Sequence, residues 1–165
     1  MRWFLPQVKA EIEKWAAKLN SLGRVSDFQQ SQAWKTCFPE SKKRKKSVKL
    51  SFSLFIDWFN PFGNKLSGWQ ASVGFIALNF LNLPPTLHFE FQYTYIAGVI
   101  PGLDQPDTTT ISKLIDPLVT QLTQMNAGIR VATPKYPQGC DVIVRLACLI
   151  GDVVATHKVA GFASH

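Results

Sequence analysis

A chain of 165 residues, 46% hydrophobic and 12% aromatic, can bury the core of one domain or of one small domain with an appendage, which excludes wholesale disorder. A formal charge of +7 on a chain with only 18% charged residues favours polyanionic partners, nucleic acid first and an anionic membrane surface second. The odd, widely spaced Cys37, Cys140 and Cys148 exclude a secreted disulfide framework and predict a reducing intracellular compartment.

The N-terminus, Met1-Arg2-Trp3-Phe4-Leu5-Pro6, lacks the apolar run of a signal peptide. From Gln7 to Asn20, Val8, Ile12, Trp15, Ala16 and Leu19 recur at helical spacing among lysines and glutamates, so an amphipathic helix is predicted, closed by Leu22-Gly23. A polar stretch with Trp34 as its anchor leads to the basic block Lys42-Lys43-Arg44-Lys45-Lys46, where a boundary is placed. Residues 1–47 then form a helical and basic extension, and residues 48–165 the main domain.

After Ser47 the pattern turns to alternation. Leu50, Phe52, Leu54 and Ile56 share one face, while Ser51, Ser53 and Asp57 share the other, interrupted by Phe55. This predicts a strand ended by the turn formers Asn60-Pro61-Phe62-Gly63-Asn64. Ala71 to Leu81 is a second predicted strand and Phe89 to Ala97 a third, close enough in sequence for an antiparallel meander. The apolar stretch Ala71–Leu83, cut by Asn79 and Asn82, is too short and too polar to span a bilayer, so no membrane is expected as a partner.

Beyond the loop markers Ile100-Pro101-Gly102 and Gln105-Pro106, the segment Thr110 to Met125 carries Leu114, Ile115, Leu118 and Leu122 at helical spacing, with Thr110 available as a cap. Pro117 inside it predicts a kink or a late start, because an interior proline costs roughly 3 kcal/mol. Pro134 to Gly139 reads as turn-rich. Val142 to Ile150, interrupted by Arg145, reads as a fourth strand covered on both faces, with Cys148 buried in it. The fold class is therefore mixed α/β: three antiparallel strands, a helical crossover, and a fourth strand parallel to an earlier one.

Two aspartates end strands in this scheme, Asp57 the first and Asp152 the fourth. If those strands are parallel neighbours, the two positions lie about 4.8 Å apart at the backbone, on the edge where open sheets build their sites. Carboxylates so close repel each other unless a cation sits between them, and Mg²⁺ needs only one or two of them plus substrate phosphates. The plainer alternative is that each is an ordinary turn residue. Parity adds a condition: Asp152 shares its parity with Val144, Leu146 and Ile150, so a bulge at Gly151 is expected to turn it outward.

The segment Phe55-Ile56-Asp57-Trp58-Phe59-Asn60-Pro61-Phe62-Gly63-Asn64 resembles the first-aspartate motif of CACTA-type (En/Spm-like) DNA transposases, particularly their fungal relatives. The likeness continues through Leu83-Pro84-Pro85, Ile100-Pro101-Gly102, Gln105-Pro106 and Leu114-Ile115-Asp116-Pro117-Leu118-Val119. It closes with Gly151-Asp152-Val153-Val154-Ala155 and Val159-Ala160-Gly161-Phe162, about two thirds of the chain in all. The resemblance implies an incomplete RNase H-like sheet with strand order 3-2-1-4-5, in a nuclear protein whose partner is DNA. It implies that Asp57 and Asp152 are catalytic and metal-binding, the first two of an acidic triad holding Mg²⁺ (or Mn²⁺), two ions in the complete enzyme. It also allows a homo-oligomer of that enzyme. Relatives continue past the position of His165 into a Cys-x-x-Cys pair and the third acidic residue, so the expectation is a fragment inactive alone.

Lys42, Lys43, Arg44, Lys45 and Lys46 suit nuclear import or DNA phosphate contacts, or else are a solvated linker. His157 and Lys158 can reach substrate phosphates or form the polar side of a short helix. Trp58 and Trp69 read as packing residues rather than base-stacking platforms. An alternative function built on the basic residues alone is a non-catalytic nucleic-acid-binding remnant of a transposable element.

Overall fold

Strand alternation around Phe52 sets the centre of the molecule. In the computed structural model, which describes residues 6–38, 47–62, 72–102, 106–133 and 136–161, strand β1 (Val48–Phe59) buries Leu50, Phe52, Leu54, Ile56 and Trp58 on one face. Its other face begins with Ser51 and Ser53, also fully buried. β2 (Val73–Phe80) pairs antiparallel with β1, and β3 (Thr94–Ile100) antiparallel with β2, which gives the expected meander.

The third strand starts later than its aromatic content predicts. Pro85–Leu87 and Phe91–Tyr93 are short 3-10 turns, and the His88 ring bonds the Leu83 carbonyl at 2.6 Å. The two asparagines that interrupt the apolar run are buried and satisfied, as buried amides must be. Asn79 accepts from the Thr94 hydroxyl at 3.0 Å. Asn82 accepts from the Ser51 N–H at 2.7 Å and donates to the Lys49 carbonyl at 3.1 Å, continuing the β1 ladder with a side chain.

Helix α1 (Pro6–Ser21) matches its predicted span, buries Val8 and Leu19, and is tied by the Trp15 indole to Asp27 at 2.7 Å. Gln29 donates to the Leu81 and Asn82 carbonyls, fixing this N-terminal region to the end of β2. A short α2 (Gln32–Cys37), capped by Ser31, packs against the strand that comes last in the chain.

The crossover helix α3 (Thr108–Ala127) starts earlier than expected and runs through Pro117. Its cap is Asp107, not Thr110: the Asp107 carboxylate accepts the Thr110 N–H at 2.7 Å, and that bond lowers its pKa. Ile111 and Ile115 are its buried contacts with the sheet.

Two strands follow where one was expected. β4 (Ile129–Thr133) and β5 (Tyr136–Ile150) form an antiparallel pair, and most of the turn-rich segment belongs to β5. The sheet order is β3-β2-β1-β5-β4, with β1 and β5 parallel. The predicted parallel neighbour of the first strand is therefore present as β5, but the outermost strand precedes it in the chain and runs against it. β4 pairs with β5 only between Tyr136 and Val142. Cover on both faces holds for Val142, Ile143 and Val144, whereas Leu146 and Cys148 are exposed. The expected burial of Cys148 is thus wrong, and the buried thiol is Cys140. Among the described residues no helix is long and apolar enough to cross a membrane.

Candidate active site at the end of the parallel strand pair

β1 and β5 run in the same direction, so their C-terminal ends lie side by side. The last aligned pair is Phe55 with Ile150. Asp57 stands two residues past it on β1, and Asp152 two residues past it in the chain, beyond the end of β5; counted from that pair, the two stand at the same level.

The parity that demanded a bulge is restored elsewhere than predicted. Phe52 pairs with Leu146 but Ser53 with Cys148, so the extra residue is Ala147, not Gly151. Past Ala147, Cys148 and Ile150 share the face of Ser53 and Phe55, because directly opposed residues point the same way. Gly151 has a different task. A Cβ there would collide with the Ile56 carbonyl oxygen, so only glycine lets the chain turn this close to β1.

Asp57 is half-buried, and its Oδ1 accepts the Trp58 N–H at 2.8 Å. Asp152 is exposed and caps α4 (Val153–Val159), its Oδ1 accepting the Ala155 N–H at 2.5 Å. Each carboxylate is thus oriented by one backbone donor. Among the described residues, no hydrogen bond engages the second oxygen of either, and no cluster of three or more His, Cys, Asp or Glu is assembled. Two carboxylates, each with one oxygen outside those bonds, are the donor type that suits a hard cation completing its shell with water and phosphate.

Transposase family tnp2, the CACTA/En-Spm type, has a model that matches residues 22–165. The chain belongs to that transposase family. No curated protein and no solved structure matches it.

The other candidates of this transposase chain lie as follows. His157 and Lys158 occupy the last turn of α4, where positive charge suits the helix C-terminus. His157 is exposed, while the Lys158 ammonium donates to the Pro106 carbonyl at 3.3 Å, holding α4 to the segment that leads into α3. Lys42, Lys43, Arg44, Lys45 and Lys46 fall outside the described residues, as does Trp69. Trp58 is a packing residue, 9% exposed, its indole lying over Gly74 of β2.

Residues that sequence reasoning passed over stand on the rim of the site. Phe59 and Phe62 are 53% and 60% exposed, and Val153 and Val154 at the start of α4 are exposed too. The signal was present in the Asp57-Trp58-Phe59-Asn60-Pro61-Phe62 run, where alternation puts Trp58 inward and Phe59 outward. On the opposite strand, Cys148 is exposed by area, yet partial desolvation first, and its neighbour Cys37 second, push its thiol pKa up.

Proposed function

We propose that this transposase chain carries part of an RNase H-like catalytic core, in which Asp57 and Asp152 hold a divalent cation for DNA strand cleavage and transfer. The observation that carries the reading is the shared level of the two aspartates, each two residues past the Phe55–Ile150 pair of adjacent parallel strands. A meander flanking a parallel pair supports the fold assignment; α3 leads first into the antiparallel β4, so the order β3-β2-β1-β5-β4 departs from the 3-2-1-4-5 that the resemblance implies.

The residues have separable tasks. The Trp58 and Ala155 N–H groups each fix one carboxylate oxygen and so aim the other. Gly151 lets Asp152 approach β1, and α4 holds it there as its cap. The paired negative charge attracts a cation and, without one, repels a DNA phosphate. Mg²⁺ or Mn²⁺ bound there would supply charge stabilisation to the phosphate oxygens and activation of the attacking hydroxyl. The resemblance implies a third acidic ligand. The pair is proposed to bind the ion weakly by itself, and cleavage to require the third group. DNA is the proposed substrate and the nucleus the proposed place of action.

Titration calorimetry with Mn²⁺ tests the assignment. Wild type should take up the ion and Asp57→Ala should not; equal uptake by both would remove Asp57 from the site.

A second reading, a nucleic-acid-binding remnant without catalysis, is favoured by the +7 charge alone. It expects sequence-indifferent binding that weakens with salt, each phosphate contact adding about 0.9 to the slope of log affinity against log salt. Affinity that barely changes between low and moderate salt would exclude it.

A further inference from the structure

Two phenylalanines of this chain spend their rings on solvent beside Asp57 rather than in the core. Phe59 and Phe62 are both more than half exposed, while Phe52 and Phe80 stack at 5.0 Å inside. A single exposed aromatic is unremarkable, but here two stand four residues or fewer from the end of the strand that carries the acidic residue. Phe59 is two positions past Asp57 on β1, hence on the same face and about 7 Å further along. That is the scale of one nucleotide step. Phe62 is held in a turn by its own backbone, whose N–H donates to Asn60 Oδ1 at 2.9 Å. This Asx turn carries the second ring, which is 60% exposed.

We propose that Phe59 and Phe62 form a stacking platform for an unpaired DNA base adjacent to the phosphate that Asp57 and Asp152 engage. The inference rests on the acidic-pair reading above for its placement, and it adds the state of the substrate: a strand whose base has left the duplex stack. Three features make nucleic acid the fitting occupant. The chain is strongly basic, so it draws a polyanion. The rings are rigid, and every base offers a π-face. The neighbouring carboxylates suit a cation that a phosphate also contacts, which puts a base within reach of the rings. The exposed Phe89 and Phe91 serve as internal controls, because they precede β3, whose first residue aligns with Asn79 and Ser53, away from the Asp57 end.

The test is fluorescence anisotropy of a labelled single-stranded oligonucleotide binding to the full chain, with a thermal melt of each variant as a fold control. Phe59→Ala and Phe62→Ala should each weaken binding about 5- to 150-fold, the range for loss of one base–aromatic stack. Phe59→Leu should lose affinity like the alanine variant, Phe59→Trp should retain it, and Phe89→Ala should match wild type. A series of strands with one abasic position should include one on which wild type and Phe59→Ala bind alike. Wild-type affinity in Phe59→Leu, or an equal loss in Phe59→Ala on every abasic strand, would overturn the platform. Mn²⁺ uptake read in parallel separates the two ideas. Intact uptake without a ring requirement sinks the platform alone, whereas a ring requirement without Mn²⁺ uptake sinks the acidic-pair reading.

Discussion

Gly151 lies against the carbonyl oxygen of Ile56 so closely that no Cβ fits between them. Backbone cannot swing aside as a flexible side chain can, so any larger residue must push the β5–α4 junction away from β1. Gly151→Ala should cost about 1–3 kcal/mol, the range for overpacking, by denaturant unfolding. It should also weaken Mn²⁺ uptake although neither carboxylate is altered. A variant with full stability and full uptake would show that the close approach does not position Asp152.

Asp152 has two duties that can be separated. As the cap of α4 it satisfies the Ala155 N–H, and asparagine can do the same without the charge. Asp152→Asn should therefore keep its stability within a few tenths of a kcal/mol, while Asp152→Ala should lose about 1 kcal/mol. Both should lose Mn²⁺ uptake. If Asp152→Asn binds the ion as wild type does, the residue is only a helix cap.

Trp58 and Gly74 face each other across β1 and β2. A Cβ on Gly74 would come within 2.6 Å of the indole Nε1. Gly74→Ala should destabilise the fold by about 1–3 kcal/mol, and Trp58→Phe in the same chain should recover part of that loss, because the two positions share one space. Purely additive effects would contradict the contact.

Asp107 gives a pH signature. Its bond to the Thr110 N–H holds its pKa below the ordinary carboxylate value. The folded state thus binds its proton less readily than the unfolded chain does. The stabilisation is present above the unfolded pKa and is lost as pH falls through the folded one. Asp107→Asn removes this titration while keeping a cap. The difference in Tm between wild type and Asp107→Asn should therefore shrink on acidification. A difference independent of pH would refute the role assigned to the charge.

How much of this was legible in the sequence depends on how sharply the two faces of each element differ. β1 was readable because Leu50, Phe52, Leu54 and Ile56 alternate with two serines and an aspartate. The bulge at Ala147 was not. The run Leu146-Ala147-Cys148-Leu149-Ile150 is apolar at every position, so a shift of one residue leaves no trace in the pattern. β4 escaped notice because five residues allow only two or three inward positions, here Ile129, Val131 and Thr133. The late start offered at Pro117 did not occur, since helix α3 begins at Thr108 and continues through it, and aromatic content misled at Phe89–Tyr93, which forms turns before β3. Of the site, the matching ends of two parallel strands were legible. The outward place of Phe59 was legible in the same alternation, whereas that of Phe62, beyond the end of the strand, was not.

The most direct measurement is Mn²⁺-induced paramagnetic broadening of backbone amide resonances, with the ion at substoichiometric levels. Wild type should lose the signals around Asp57 and around Asp152 together at the lowest ion concentration, and Asp57→Asn should abolish both effects at once. Broadening confined to one aspartate, or unaltered around Asp152 in Asp57→Asn, would contradict a shared ion.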